Sequence, residues 1–124
     1  MEKVLVCVKA LADIQRIKIA YALSKGELCL CSLQEFLGLS PSTVSRHVSI
    51  MKQAGMVESR TDGKWRYFRL IPDIEKTPCG DLLGWLIKNI ENDPEIVAQA
   101  EQVSLMLEQQ PEKCSPCNAG RRSC

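Results

Sequence analysis

Ser32-Leu33-Gln34-Glu35-Phe36-Leu37-Gly38-Leu39-Ser40-Pro41-Ser42-Thr43-Val44-Ser45-Arg46-His47-Val48-Ser49-Ile50-Met51-Lys52-Gln53-Ala54-Gly55 holds two helix-start signals separated by a glycine. Ser32 and Glu35 have the spacing of a capping box, in which a hydroxyl and a carboxylate satisfy backbone N–H groups at a helix start. This predicts a short helix through Phe36 and Leu37, broken around Gly38. Ser40-Pro41 repeats the signal as a cap followed by proline at the first helical position. The second helix turns Val44, Val48 and Met51 inward and ends at Gly55. The period then changes. Residues 56–60 and 64–70 are strand-like runs flanking the turn signal Thr61-Asp62-Gly63, which predicts a β-hairpin. Two helices joined by a glycine-containing turn and followed by a hairpin have the order of a winged helix-turn-helix.

Outward from this centre the chain reads as helix. Val4, Leu5, Val8, Leu11 and Ala12 repeat at helical spacing and predict a first helix with one apolar stripe. Asp13 caps a second over residues 14–23, with Ile17, Ala20, Tyr21 and Leu23 facing the core and Gly26 just beyond it. Thr77-Pro78 starts a helix with Leu82, Leu83, Leu86, Ile87 and Ile90 on one face. Asp93-Pro94 starts another carrying Ile96, Val97, Ala100, Val103 and Leu107. Pro, Gly, Ser and Cys dominate from Pro111 onward, predicting a flexible tail. The expected fold is therefore mainly α with a β-hairpin wing, of the α+β kind. Residues 1–110 form one DNA-binding and dimerisation domain, and 111–124 a cysteine-containing tail. A winged body of this size cannot cover the apolar stripes of the terminal helices, so a homodimer through them is expected, presenting two reading helices to a two-fold operator.

Composition narrows the function. The 124 residues are 45% hydrophobic and 25% charged, one domain's worth of chain with an ordinary core and no resemblance to a disordered tail. No apolar run reaches the roughly 18–20 residues of a membrane span, and Lys9 interrupts the first run before a signal-peptide core forms. A cytoplasmic, non-membrane protein is expected. The net charge of +1 hides an asymmetry: residues 1–72 hold 11 Lys and Arg against 6 Asp and Glu, residues 73–124 hold 5 against 9. A basic front and acidic back point to a polyanion on one face.

The second helix of the pair has the polar face that such contact needs. Ser40, Ser42, Thr43, Ser45, Arg46 and His47 crowd its first turns, where short hydroxyls approach phosphates and an arginine reads a guanine edge or the backbone. Arg60, Lys64, Arg66 and Arg69 in the hairpin suit the phosphates of double-stranded operator DNA. Trp65 and Tyr67, interleaved with them, are read as packing residues rather than stacking platforms.

Seven cysteines, Cys7, Cys29, Cys31, Cys79, Cys114, Cys117 and Cys124, are an odd count with no export signal, which argues against a disulfide framework and for thiol or metal chemistry. Cys29-Leu30-Cys31 lies just ahead of the expected Ser32 cap. Residues two apart on a helix point roughly 200° apart and cannot share an ion, whereas on an extended segment they point to one side. If the segment is extended the sulfurs converge; if it is helical, joint ligation must unwind it. Thiolates favour arsenic(III), antimony(III) and soft metals such as Cd(II) and Pb(II). Two sulfurs complete none of their shells. Cys114-Ser115-Pro116-Cys117, a C-x-x-C in the tail, can add thiolates or close a disulfide. Cys7 reads as core. Cys79 and Cys124 carry little signal. His47, the sole histidine, belongs to the DNA face and not to a metal site.

Leu11-Ala12-Asp13, Glu27-Leu28-Cys29-Leu30-Cys31, Leu39-Ser40, residues 42–48 (Ser-Thr-Val-Ser-Arg-His-Val), Ala54-Gly55-Met56-Val57 and Gly63-Lys64-Trp65 with Tyr67 and Arg69-Leu70 resemble the ArsR/SmtB family of metal-sensing repressors across roughly residues 4–72. The resemblance implies a homodimeric winged-helix repressor, not an enzyme, that leaves its operator when an inducer binds. It also implies that Cys29 and Cys31 ligate that inducer, as in the arsenite and cadmium/lead sensors. Two positions depart from the pattern. Gln34 stands where arsenite sensors often carry a third cysteine, and the cysteine-bearing N-terminal arm of the cadmium/lead type is not seen. Residues 78–109 lack the histidines of the family's zinc branch. As(III) or Sb(III) is the inducer expected first, Cd(II) or Pb(II) second.

Two other readings use the same thiols. One is a redox- or persulfide-responsive repressor working through a disulfide such as Cys114 to Cys117. The other is a thiol carrier or redox enzyme centred on the tail C-x-x-C, which lacks the strand-then-helix setting of such motifs.

Overall fold

The computed structural model describes residues 1–120, with side chains described through Glu108. Six helices and three strands follow the order α1 (Glu2–Ala10), α2 (Ile14–Leu23), β1 (Leu28–Cys29), α3 (Leu30–Leu37), α4 (Pro41–Gln53), β2 (Val57–Asp62), β3 (Trp65–Leu70), α5 (Pro78–Ile90) and α6 (Pro94–Gly120), with a 3-10 turn at Ile74–Lys76. This is the mainly helical winged helix-turn-helix read from the sequence.

Local signals account for most boundaries. The Asp13 carboxylate accepts from the amides of Gln15 at 2.8 Å and Arg16 at 3.4 Å, starting α2. Ser40 caps α4 through the Thr43 amide and Thr77 caps α5 through the Gly80 amide, each ahead of a proline. Between α3 and α4, Gly38 takes φ 69°, the left-handed turn that lets the two helices meet within three residues.

The sheet is antiparallel with order β1-β3-β2. The hairpin pairs Val57 with Leu70 at one end and Asp62 with Trp65 at the other, leaving a two-residue turn at Gly63-Lys64. The expected turn at 61–63 sits one residue later. Strand β1 was not expected: it pairs Leu28 with Phe68 and Cys29 with Tyr67, making β3 the central strand. Phe68 is fully buried there, in a core with Ile19, Leu28, Leu33, Val44, Val48, Met51 and Met56.

The start of α3 corrects one expectation. Helix α3 starts at Leu30, with Cys29 at its cap position; Ser32 lies inside the first turn, fully buried, so it is not the cap. On α1, Val4, Leu5 and Val8 face outward, and Cys7 and Ala10 make the inward contact, with Leu11 just past the helix. Helix α6 runs from Pro94 to Gly120 and so takes in residues 111–120 of the segment read as a tail. The inner face of α6 is Ile96, Val103 and Met106, while Val97 is exposed. No described helix is long and apolar enough to cross a membrane.

Candidate nucleic-acid interface and thiol pair

Helix α4 buries Val44, Val48 and Met51 and turns its polar residues outward. Ser40, Ser42 and Arg46 are exposed, and Thr43, Ser45 and His47 half-buried. The hydroxyls of Ser40, Ser42 and Thr43 form a small network, with Ser40 Oγ 2.9 Å from Thr43 Oγ1 and 3.3 Å from Ser42 Oγ. No ion pair holds Arg46 among the described residues.

His47 has a side-chain partner within the chain. Arg16 Nη1 lies 3.1 Å from His47 Nδ1. A guanidinium only donates, so Nδ1 accepts and the ring proton sits on Nε2. The same arginine donates from Nε to the Ala10 carbonyl at 2.6 Å and from Nη2 to the Lys9 carbonyl at 3.4 Å. Arg16 thus ties the end of α1 to α4 across the start of α2. Burial pulls the pKa of nearby Asp13 up, but the Gln15 and Arg16 amides and the Arg16 charge outweigh it, and the net shift is downward. The sequence offered no periodic signal for Arg16, because its partners are two carbonyls and a ring from distant elements.

The hairpin cations divide into two classes. Arg60 donates twice to Glu27, at 2.9 and 2.7 Å, and its guanidinium stands 4.4 Å from the Tyr67 ring centroid. Arg69 pairs with Glu58 across the hairpin. Lys64 is exposed in the turn, and Arg66 is exposed with its guanidinium 5.3 Å from the Phe68 ring. Arg60, expected on phosphate, is therefore held by a carboxylate. The Arg60 hydrogen bonds lower the Glu27 pKa against a smaller effect of partial burial.

Cys29 and Cys31 come together. Their sulfurs are 3.4 Å apart, and Cys29 Sγ is also 3.4 Å from Ser32 Oγ. The geometry combines the two alternatives left open by the sequence. Cys29 is extended, at φ −86° and ψ 164°, while Cys31 is the second residue of α3. A bend at Leu30 puts both side chains on one side, so convergence needs no unwinding. Cys29 is fully buried and Cys31 nearly so, in a cluster completed by Trp65 and Tyr67 of β3. The wing aromatics are packing residues, and what they pack on is the sulfur pair. Next along α3, Gln34 has its Oε1 buried without a hydrogen-bond partner.

This donor set suits a thiophilic ion as a two-sulfur nucleus. No group of three or more metal-ligating side chains is gathered among the described residues. The side chains of Cys114 and Cys117 lie outside those described, as does Cys124. Cys7 is core, as read, but it is also joined by a disulfide to Cys79. The odd count hid this bridge, since pairs far apart in sequence leave no spacing signal.

Residues 13–59 match the family described as bacterial regulatory protein, arsR family. The arsenic resistance transcriptional regulator ArsR1 of Pseudomonas putida is 37% identical over 84 residues, covering 67% of this chain and 66% of that one. A cadmium resistance regulatory protein CadC homolog of Staphylococcus aureus is 43% identical over 63 residues, 50% of this chain and 52% of its own. The chain thus spans about half to two-thirds of these relatives. An HTH-type transcriptional regulator of Methanocaldococcus jannaschii, MJ1325, is 33% identical over 73 residues, 58% of this chain and 82% of its own length. Among solved structures, the homodimeric winged helix-turn-helix DNA-binding domain Mb0332 of Mycobacterium bovis, described as a possible ArsR-family regulator, superposes with TM-score 0.61 at 26% identity. It covers 72% of this chain and 81% of that one.

Proposed function

Because the chain belongs to the arsR family of bacterial regulatory proteins, we propose that it is a transcriptional repressor that binds operator DNA as a homodimer. In this reading As(III) or Sb(III) releases it by ligating the Cys29 and Cys31 thiolates. The observation that carries the inducer reading is the 3.4 Å approach of the two sulfurs at the start of α3, beneath Trp65 and Tyr67. A trivalent metalloid takes three ligands, so the pair nucleates the site and a further donor completes it; Cys114 and Cys117 are the candidates within the chain. Cd(II) or Pb(II) would meet the same soft donors.

DNA contact falls to Ser42, Arg46, Lys64 and Arg66, which are exposed, with Ser40, Thr43 and Ser45 shaping the start of α4. Dimerisation falls to the terminal helices, where Val4, Leu5, Val6 and Val8 of α1, Trp85 of α5, and Val97 and Leu105 of α6 are exposed. A second copy would cover these apolar side chains.

The test is release. Operator duplex selected from a random library is titrated with reduced protein, with and without sodium arsenite. Release of ~100-fold in affinity corresponds to about 2.7 kcal/mol of coupling, within the usual allosteric range. Cys29→Ser and Cys31→Ser should bind DNA as the parent does and ignore arsenite. With Trp85→Phe, Trp65 is the one remaining tryptophan of the two, and its emission should change as arsenite binds beneath it. Release by arsenite from both cysteine variants would remove the pair as sensor.

A further inference from the structure

Cys7 and Cys79 stand 72 residues apart in sequence, with Cα atoms 5.3 Å apart and sulfurs bonded. Both are buried in the main core. They share no cluster with Cys29 and Cys31, which pack with Trp65 and Tyr67. We propose that Cys7 and Cys79 form a second thiol site, separate from the inducer pair, that a low-molecular-weight disulfide oxidises to a crosslink between α1 and α5.

The surroundings supply what such a reaction needs. The two cysteines line an open cavity of about 480 Å³ whose walls include Lys3, Val6, Gln53 and Pro78. That is room for one small thiol next to the sulfurs. Cys79 is assigned as the attacking group because it shares the cavity wall with its chain neighbours Thr77 and Pro78. Gly80 keeps it there: a Cβ at that position would lie 1.9 Å from the Ile74 carbonyl oxygen, so only glycine lets the start of α5 close on the preceding turn.

The step balances. The Cys79 thiolate attacks one sulfur of the small disulfide, whose S–S bond breaks and whose other half leaves as a thiolate. Cys7 then attacks the Cys79 sulfur of the mixed disulfide, closing the Cys7–Cys79 bond and expelling the second small thiolate. The two cysteines lose two electrons and two protons, and the small disulfide becomes two thiols.

Helix α1 buries Cys7 and Ala10, and Arg16 holds the Lys9 and Ala10 carbonyls at its end, so the crosslink adds a covalent point to this attachment. Cys79 Sγ lies 3.5 Å from the carbonyl of Ala54, the residue that ends α4. Oxidation therefore joins α1, α5 and the end of the reading helix at one point.

The full-length protein, reduced and then incubated with oxidised glutathione, is mapped by trypsin, which releases Cys7 in residues 4–9 and Cys79 in residues 77–88. These two peptides should be recovered linked, and separated by reductant. The thermal midpoint should rise by about 10 °C on oxidation, as expected for closing a long loop. Both results should persist when Cys29 and Cys31 are serine, and disappear in Cys7→Ala. Comparing the parent reduced and oxidised decides the matter even where Cys79→Ala folds poorly. Recovery of the peptides unlinked overturns the proposal, as does a midpoint that rises equally in Cys7→Ala. Failure here leaves the arsenite response of Cys29 and Cys31 untouched, so the two readings fall separately.

Discussion

Arg46 and Arg60 both lie where a winged helix would meet phosphate, but the structure gives them opposite availability, and this sets a quantitative test. Arg46 is exposed on α4 with no ion pair among the described residues, so DNA contact there displaces no carboxylate. Arg60 already donates two hydrogen bonds to Glu27 and lies over Tyr67. Reaching a phosphate would exchange one anionic partner for another and strand Glu27 beside the DNA, so little is gained. A phosphate contact contributes about 0.9 to the slope of log affinity against log salt, and a dimer carries two copies. Arg46→Ala should therefore flatten the slope by about 1.8 if the contact is to phosphate. If the residue reads a base, it should cost about 1–3 kcal/mol per contact, roughly 5- to 150-fold, at little change in slope. Arg60→Ala should move the slope by less than half a unit. Anisotropy titrations of a labelled operator at four salt concentrations measure both quantities, with sedimentation confirming that each variant remains dimeric. Equal flattening by the two variants would show that the Glu27 tie does not persist on DNA. No effect from Arg46→Ala would remove α4 as the reading helix.

Two further outcomes follow from the polar contacts. Asp13→Ala removes the acceptor for the Gln15 and Arg16 amides, and should destabilise the protein by about 0.5–2 kcal/mol in urea unfolding, with Asp13→Asn recovering most of it. Glu27→Gln should lower the thermal midpoint at neutral pH. Arg60 depresses the Glu27 pKa, so the stabilisation is present above the ordinary glutamate range and is lost as pH falls through the lowered folded value, where the parent and variant midpoints should converge. Midpoints that stay parallel from pH 7 to 3 would mean the pair contributes nothing as a carboxylate.

What the sequence made legible was whatever is local. Asp13, Ser40-Pro41 and Thr77-Pro78 each satisfy backbone amides within three residues of themselves, so their helices start where the residues say. The inward set Val44, Val48 and Met51 follows from helical period alone. The Ser32 reading failed for an instructive reason: β1 pairs Cys29 with Tyr67, nearly forty residues away, and that pairing delivers the chain to α3 two residues before the apparent cap. The hydroxyl that looked like a cap is buried beside a sulfur. The apolar residues of α1 repeat as read, but amphipathicity does not say which surface a stripe meets, and here Val4, Leu5 and Val8 face away from the chain's own core while Leu11 enters it. Cys7–Cys79 and Arg16–His47 were invisible for the same reason as β1, being contacts between elements.

The thiol pair is joined to the DNA side by a short closed circuit. Cys29 pairs across the sheet with Tyr67; the Tyr67 ring lies under the Arg60 guanidinium; Arg60 grips Glu27; and Glu27 is two residues before Cys29 in the chain. A ligand on the sulfurs adds volume beside two buried side chains, and close-packed interiors respond to added volume by moving neighbours rather than by compressing. Leu30 is buried in the main core and Ser32 is fully buried beside the Cys29 sulfur, so the residues flanking the cysteines have little room to yield. Trp65 and Tyr67, half-buried, are the side that can move. They alternate along β3 with Arg66, and Trp65 directly follows Lys64, the wing's exposed cations. On the proposed reading, the inducer's differential affinity for the two wing positions is the entire source of release, because a ligand shifts a conformational equilibrium only by that difference. The same circuit explains how a site that contributes no residue to DNA contact can govern it. On that reading, binding at Cys29 and Cys31 acts on where the hairpin points and not on α4 itself.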